Sequence, residues 1–311
     1  MSAVALFSRT RLGSVGAIGE ERLIARIRGW LGGTCPRGPA GIGDDCAVVR
    51  PARGRELLTI DPVVYGVHFD RRVPAAAAGA KLLKRNLSDI AAMGGRPRAA
   101  LVALALDPRV SVAWLGRFYR GIAREARRHG VLVVGGDVAR CPGVFAATLS
   151  LTGEASGRVL TRTGSRPGDW IYVTGTLGRS LGSGHHHSFT PRLAEGAWLA
   201  RRREVRSMMD VSDGLAKDIR AMTPRGAEAA LYAEMLPRRR GAGLEEALSD
   251  GEDYELAFTV AGGARTRALE EAWRRAFPGT RLSRIGRLVR KGERPPGALD
   301  LGGRRGYEHL R

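Results

Sequence analysis

The 311 residues are 43% apolar and 26% charged, enough to bury a normal core in one large or two ordinary domains, and far beyond a disulfide mini-scaffold. Against 31 Asp and Glu stand 51 Lys and Arg, a formal charge of +20, which first suggests a polyanion or an acidic membrane surface as partner. Only Lys81, Lys84, Lys217 and Lys291 are lysines, however, and an Arg excess among abundant Ala and Gly reads as compositional background, so no specific nucleic-acid partner is expected. Cys35, Cys46 and Cys141 have no CxxC spacing, so neither a zinc ribbon nor a disulfide framework is suggested. The apolar run Ala3 to Phe7 is too short for a secretory signal, and nothing approaches the ~18 apolar residues of a membrane span. A soluble cytoplasmic protein with no membrane partner is expected.

Apolar periodicity alternates between two and 3.6 along the chain, the pattern of an α/β protein of mixed layers. A helix is predicted over Glu20 to Leu31, then strands over Cys46 to Val49, Glu56 to Ile60 and Val63 to Phe69. A long helix opens at Pro74, carries Leu82, Leu83, Leu87, Ile90 and Met93, and stops at Gly94-Gly95-Arg96-Pro97. Ala99 to Leu106 reads as a strand, Val112 to Arg128 as a helix, Val131 to Val134 as a buried strand running into Gly135-Gly136-Asp137, and Phe145 to Leu151 as another strand. The pattern restarts with a strand at Asp169 to Val173, a glycine-rich turn from Gly175 to Gly184 and a helix near Pro191 to Arg203. Strand Met208 to Val211 leads into helix Gly214 to Met222, and strand Tyr254 to Val260 into helix Ala264 to Phe277. The chain is divided accordingly into an extension over 1–17 and domains over 18–152 and 153–311.

In so basic a chain the informative residues are acidic ones beside small neighbours at strand ends. They are Gly43-Asp44-Asp45, Thr59-Ile60-Asp61, Asn86-Leu87-Ser88-Asp89, Gly136-Asp137, Asp210-Val211-Ser212-Asp213-Gly214 and Asp250-Gly251-Glu252-Asp253-Tyr254. Any one of them is an ordinary turn or cap. Together they supply the oxygen ligands that Mg²⁺ takes when it bridges to substrate phosphates. No GxxxxGK[ST] loop and no GxGxxG fingerprint occurs, which excludes the P-loop and dinucleotide folds, and protein-kinase signatures are absent. Gly175-Thr176-Leu177-Gly178 is open to two readings, an anion-binding turn or a plain tight turn.

Taken in order, these segments resemble the thiamine-monophosphate kinase family, in the superfamily of aminoimidazole ribonucleotide synthetase, selenophosphate synthetase and the hydrogenase-maturation dehydratase. Its most specific parts are Gly41 to Ala47, Gly66-Val67-His68-Phe69, Asn86 to Gly94, Gly135-Gly136-Asp137, Leu160-Thr161-Arg162, Val211 to Leu215 and Gly251 to Leu256. The resemblance implies transfer of the ATP γ-phosphoryl group to thiamine monophosphate. It implies a two-domain aminoimidazole ribonucleotide synthetase-like fold, with an N-terminal domain pairing into a β-barrel across a homodimer and a C-terminal α/β domain over the nucleotide. By the same resemblance Asp45, Thr59, Asp61, Asp89, Asp137, Asp210 and Asp213 are ligands of several Mg²⁺ ions. Tyr119, Gly136, Asp137, Arg162 and Ser212 contact ATP, with Tyr119 stacking on adenine, and His68, Glu252 and Tyr307 hold the thiamine phosphate.

The bare chemistry agrees. A phosphate monoester acceptor is already ionised near neutral pH, so no catalytic base is required, and positioning with charge neutralisation suffices. His68 alone reads equally as a strand residue satisfied by a hydrogen bond. The chain departs from the family at Ile60, Pro62, Asp250 and Arg304, the last standing where an aromatic packs on the substrate, with Tyr307 as substitute. His185-His186-His187 is read as a solvated loop rather than a metal site. Two rivals stay open: a superfamily enzyme with another acceptor, and a non-catalytic basic protein that binds nucleic acid through Arg201 to Arg203 and Arg238 to Arg240.

Overall fold

The computed structural model describes residues 4–43, 46–155, 157–304 and 306–308, and the chain falls into two units. The first holds residues 1–87 and 96–156. Its helices are α1 (Val15–Ile18), α2 (Glu20–Leu31), α3 (Ala75–Ala92, whose last turn belongs to the second unit) and α4 (Val112–His129). Its strands are β1 (Arg55–Val64), β2 (Arg96–Leu106), β3 (Leu132–Arg140) and β4 (Phe145–Ala155), in the sheet order β1-β4-β2-β3.

Helix α4 shows why these elements form. Ser111 caps it by accepting the Trp114 N–H at 3.3 Å, and Gly130 ends it at φ 68°, donating its own N–H to the Ala126 and Arg127 carbonyls. Its apolar face, Leu115, Phe118, Ile122 and Ala126, is fully buried. Trp114 and Phe118 meet Phe145 of β4 edge to face, with ring centroids 4.8 and 5.4 Å apart. Helices α3 and α4 approach backbone to backbone: a Cβ on Gly79 would fall 2.0 Å from the Phe118 carbonyl oxygen, and one on Gly121 2.0 Å from that of Ala76.

Strand alternation sorts the sheet into two faces. Leu57 and Val63 of β1 and Ala147, Leu149 and Leu151 of β4 are buried, whereas Leu58 is 76% exposed, Ile60 65% and Leu101 47%. Ile60 and Leu101 both register with Ser150, so they line one row across the outer face.

The second unit holds residues 88–95 and 157–311. Its strands β5 (Trp170–Thr174), β6 (Val205–Asp210), β7 (Ala227–Leu231), β8 (Leu256–Val260) and β9 (Leu282–Arg290) form a sheet of order β6-β8-β5-β9-β7. Helices α5 (Ser180–Ser183), α6 (His185–Ser188), α7 (Leu193–Ala200), α8 (Leu215–Met222), α9 (Leu244–Ser249) and α10 (Thr266–Ala276) complete it. Apolar side chains lie on both sides of this sheet: Ile171, Val173 and Ile285 join Leu215 and Ile219 of α8 in one core, and Tyr172 and Phe258 join Leu269 and Trp273 of α10 in the other.

Several expected elements differ. Cys46 to Val49 is not a strand, and the two strands expected over 56–69 are one, β1, followed by a turn in which Tyr65 only bridges Phe69. Asp61 therefore lies within β1 rather than at its end. Strand β3 likewise runs through Gly135 and Gly136 to Arg140, because Gly136 lets the backbone lie against β2: an added Cβ would sit 1.9 Å from the Val102 carbonyl oxygen. The His triplet, expected in a solvated loop, forms α6, and His186 is buried. Strands β7 and β9 and helix α9 are additional to the expected elements: β7 and α9 are only 5 and 6 residues long, and Arg284, Gly286 and Arg287 interrupt the apolar pattern of β9.

Candidate phosphoryl-transfer site

In the first unit, β1, β3 and α3 position the expected residues. Thr59 and Asp61 share the inward face of β1 with Leu57 and Val63, half-buried, while Asp137 and Gly136 lie exposed on β3. A cavity of about 510 Å³ opens beside them, lined by Ile24, Ile27 and Leu31 of α2, Tyr119 of α4, and Gly136 and Asp137. Its apolar wall and its polar strand end are the two halves of a nucleotide's chemistry. Tyr119 is 2% exposed, its ring 6.1 Å from Trp30, and burial raises its phenol pKa well above the usual value, so it is neutral.

His68 is buried in the turn after β1. Its Nδ1 accepts the Val64 N–H at 3.1 Å, so the neutral ring carries its proton on Nε2, and Lys81 Nζ donates to its carbonyl at 2.7 Å. Asp61 accepts from Arg85 Nη2 at 3.0 Å. Asp45 falls outside the described residues.

In the second unit the acidic residues gather around the end of β6. Asp210 is 3% exposed and accepts from Ser88 Oγ at 2.8 Å. Burial, reinforced by the Asp89 carboxylate, pushes its carboxyl up to about 7. Arg162, exposed on the segment whose Thr161 carbonyl accepts the Met208 N–H, acts in the opposite direction on Asp210. Asp213 pairs with Lys217 Nζ at 2.7 Å one turn along α8, and its carbonyl accepts the Tyr307 N–H at 2.9 Å. Tyr307 is thereby tied to the same segment and is 44% exposed. Arg304 is occupied elsewhere: its guanidinium grips Glu245 at 2.7 and 3.1 Å.

Beneath Ser212 and Asp213 lies a carboxylate that the sequence motifs do not single out. Asp218 Oδ2 accepts both their N–H groups, at 3.0 and 3.1 Å, and burial, then the Asp210 and Asp213 charges, raises its carboxyl to about 8. The signal that could have found it is a charged residue on the apolar face of α8, between Leu215 and Ile219.

The Gly251 to Tyr254 segment straps onto Val211 and Ser212. Glu252 N–H donates to the Ser212 carbonyl at 2.7 Å and Tyr254 N–H to that of Val211 at 2.8 Å. This conformation holds Glu252 and Tyr254 at φ 53° and 51°, unusual for side-chain-bearing residues. Gly251 permits it, since a Cβ there would lie 2.7 Å from the Ser212 carbonyl oxygen. Glu252 Oε2 lies 3.6 Å from His186 Nδ1 and Oε1 3.5 Å from the Tyr254 hydroxyl. His185 Nε2 donates to the Asp253 carbonyl at 2.9 Å, and Phe189 stacks on Tyr254 with centroids 4.0 Å apart.

The Gly175 to Gly178 turn is a structural turn. Gly178 N–H goes to the buried Asp253 carboxylate at 3.0 Å, Leu177 N–H to the Pro237 carbonyl and Gly175 N–H to that of Arg281. Asp253, also held by Ser180 Oγ and Arg239 Nη1 at 2.7 and 2.9 Å, is the anion this turn binds. Asp250, exposed, accepts the Arg179 N–H at 2.7 Å. Among the described residues no group of three or more His, Cys, Asp or Glu side chains is already gathered as a metal cage.

The chain is a mixed α/β protein of two units, and residues 43–159 match the family model described as AIR synthase related protein, N-terminal domain. A thiamine-monophosphate kinase of Rhodopirellula baltica is 34% identical over 292 residues, covering 87% of this chain and 89% of that one. The crystal structure of thiamine-monophosphate kinase from Stenotrophomonas maltophilia superposes with a TM-score of 0.70 at 30% identity, covering 92% of this chain and 95% of that one. The structure of AaThiL complexed with AMPPCP and TMP gives 0.69 at 29% identity, covering 94% and 97%. The chain belongs to the thiamine-monophosphate kinase family.

Proposed function

We propose that this chain transfers the γ-phosphoryl group of ATP to the phosphate of thiamine monophosphate, giving thiamine diphosphate and ADP. The observation that carries the reading is the buried Asp210 carboxyl beside Asp89, under the Ser212 to Gly214 turn that the Glu252 strap holds in place, in a chain of this family. In the transfer the bond from the γ-phosphorus to the β–γ bridging oxygen breaks and a bond to an acceptor phosphate oxygen forms. The acceptor oxygen is already ionised, so no side chain has to take a proton.

Two neighbouring carboxylates, one of them buried, need a cation or a proton between them, and this donor set fits magnesium. In the second unit Asp89, Asp210 and Asp213 are the residues that would hold such ions, and in the first unit Asp45, Thr59 and Asp137. The chemistry such ions would supply when bound is charge neutralisation at the donor and acceptor phosphate oxygens. The remaining work belongs to the chain. Tyr119 and the apolar face of α2 offer a wall for adenine, Gly136 gives phosphates close access to the β3 backbone, and Arg162 and Ser212 supply donors for the nucleotide. The Nε2–H of His68 suits a phosphate oxygen, Glu252 suits the cationic substrate, and Tyr307 offers it an aromatic face.

Residues 18–152 and 153–311 are read as the two domains, with 1–17 as an extension. The exposed Leu58, Ile60 and Leu101 on the outer face support pairing of the first sheet across a homodimer into a barrel, since clustered apolar side chains on a sheet face mark interaction surfaces. Among the described residues no helix is long and apolar enough to cross a membrane, and the reading places the enzyme in the cytoplasm. Incubation with ATP, Mg²⁺ and thiamine monophosphate tests the function: thiamine diphosphate is expected, and its absence at high enzyme concentration would refute the substrate.

A further inference from the structure

Helix α3 is apolar along most of its length, yet it buries Lys81 at 0% exposure and Arg85 at 9%. A buried guanidinium is tolerated where an anion and acceptors meet it. Lys81 and Arg85 stand one helical turn apart and reach the same stretch of chain: Lys81 Nζ donates to the His68 carbonyl at 2.7 Å and Arg85 Nη1 to the Pro62 carbonyl at 2.5 Å. Arg85 Nη2 lies 3.0 Å from Asp61 Oδ1, the two side chains 10% and 24% exposed. The planar fork thus spans a carboxylate and the carbonyl of the following residue, a two-point grip suited to a guanidinium.

We propose that Arg85 supplies at Asp61 the positive charge that a divalent ion would otherwise bring, so that Asp61 serves in this chain as a neutralised positioning residue and not as a metal ligand. The inference rests on the reading that the chain binds nucleotide together with divalent ions. A guanidinium and a doubly charged ion on one carboxylate repel each other. The guanidinium is delivered by a helix whose place is fixed by backbone-to-backbone packing at Gly79 and Gly121, and it never has to be recruited from solution. Ile60 and Pro62, which flank Asp61 without offering a side-chain oxygen, agree with a carboxylate that has a side-chain cation in place of a metal shell.

The test counts bound Mn²⁺ by electron paramagnetic resonance on the full chain with a non-hydrolysable ATP analogue. Arg85→Gln is expected to gain one Mn²⁺ per chain, Arg85→Lys to keep the parental count, and Asp61→Asn added to Arg85→Gln to lose the gained ion. Asp61→Asn in the parental chain is expected to leave the count unchanged, and this variant decides alone if Arg85→Gln does not fold by circular dichroism. Equal counts for the parental chain and a folded Arg85→Gln, or one ion fewer in Asp61→Asn, would overturn the inference. Absence of Mn²⁺ from every variant would overturn the divalent-ion reading and the inference with it; kinase turnover without added metal would separate that outcome from failure of the phosphoryl-transfer reading.

Discussion

Ser88 and Asp210, 122 residues apart in sequence, meet in a buried hydrogen bond of 2.8 Å. The pair explains how a carboxyl with its proton affinity raised by burial and by Asp89 is kept oriented at the end of β6. Ser88→Ala leaves that carboxyl without its hydroxyl donor. A hydrogen bond to an ionised group contributes about 1.5–3 kcal/mol, so kcat/KM should fall by at least about tenfold. Steady-state kinetics with unfolding curves as control check it, and a parental value would show the bond to be irrelevant to turnover.

His186 faces the Glu252 carboxylate at 3.6 Å from a buried position. A partly solvated pair of this kind is worth about 0.2–1 kcal/mol. His186→Ala should therefore raise KM for thiamine monophosphate by about 1.4- to fivefold and leave kcat within about twofold. An effect on KM for ATP instead would place Glu252 on the nucleotide.

Asp218 sets a pH dependence of stability. Its carboxyl holds a proton up to about 8 in the folded chain, against about 3.9 when unfolded. The folded state binds the extra proton between those values, so the contribution is present at low pH and is lost as pH rises toward 8. Asp218→Asn keeps an oxygen acceptor for the Ser212 and Asp213 N–H groups and cannot ionise. Urea midpoints of the metal-free protein between about pH 5 and pH 8 should decline for the parental chain and decline less steeply in the variant, where Asp210 still contributes; parallel slopes would contradict the burial argument.

Leu58 is 76% exposed, so a charge there should cost the single chain little. Leu58→Asp is expected to keep the circular dichroism of the parent while light scattering shows the mass of one chain instead of two. A parental chain that is itself monomeric at micromolar concentration would remove the barrel reading.

Long periodic segments are legible in the sequence because their physics is local. The boundaries of Glu20–Leu31 follow from apolar spacing alone, and the helix expected over Val112 to Arg128 matches α4 to within one residue. The acidic motifs are legible too, since their carboxylates recur beside small residues near the ends of apolar runs. What fails depends on partners distant in sequence. Asp61 reads as a strand end only until β4 continues the ladder to Val64, and the Gly175 to Gly178 turn stays open between an anion site and a tight turn until Asp253, 75 residues beyond Gly178, takes its amide. Arg85 and Asp218 escape notice for a related reason: a charge in an apolar helical pattern states that a partner exists, but only the fold names it. His186, in a segment that reads as a polar loop, is buried beside Glu252 in the same way.

Direct movement of the terminal phosphoryl group of ATP to thiamine monophosphate is tested most plainly by turnover of ATP labelled at the γ-phosphorus, with the products separated by chromatography. Label should appear in thiamine diphosphate in a one-to-one ratio with ADP. Label released only as inorganic phosphate, or ATP consumed without dependence on thiamine monophosphate, would contradict it.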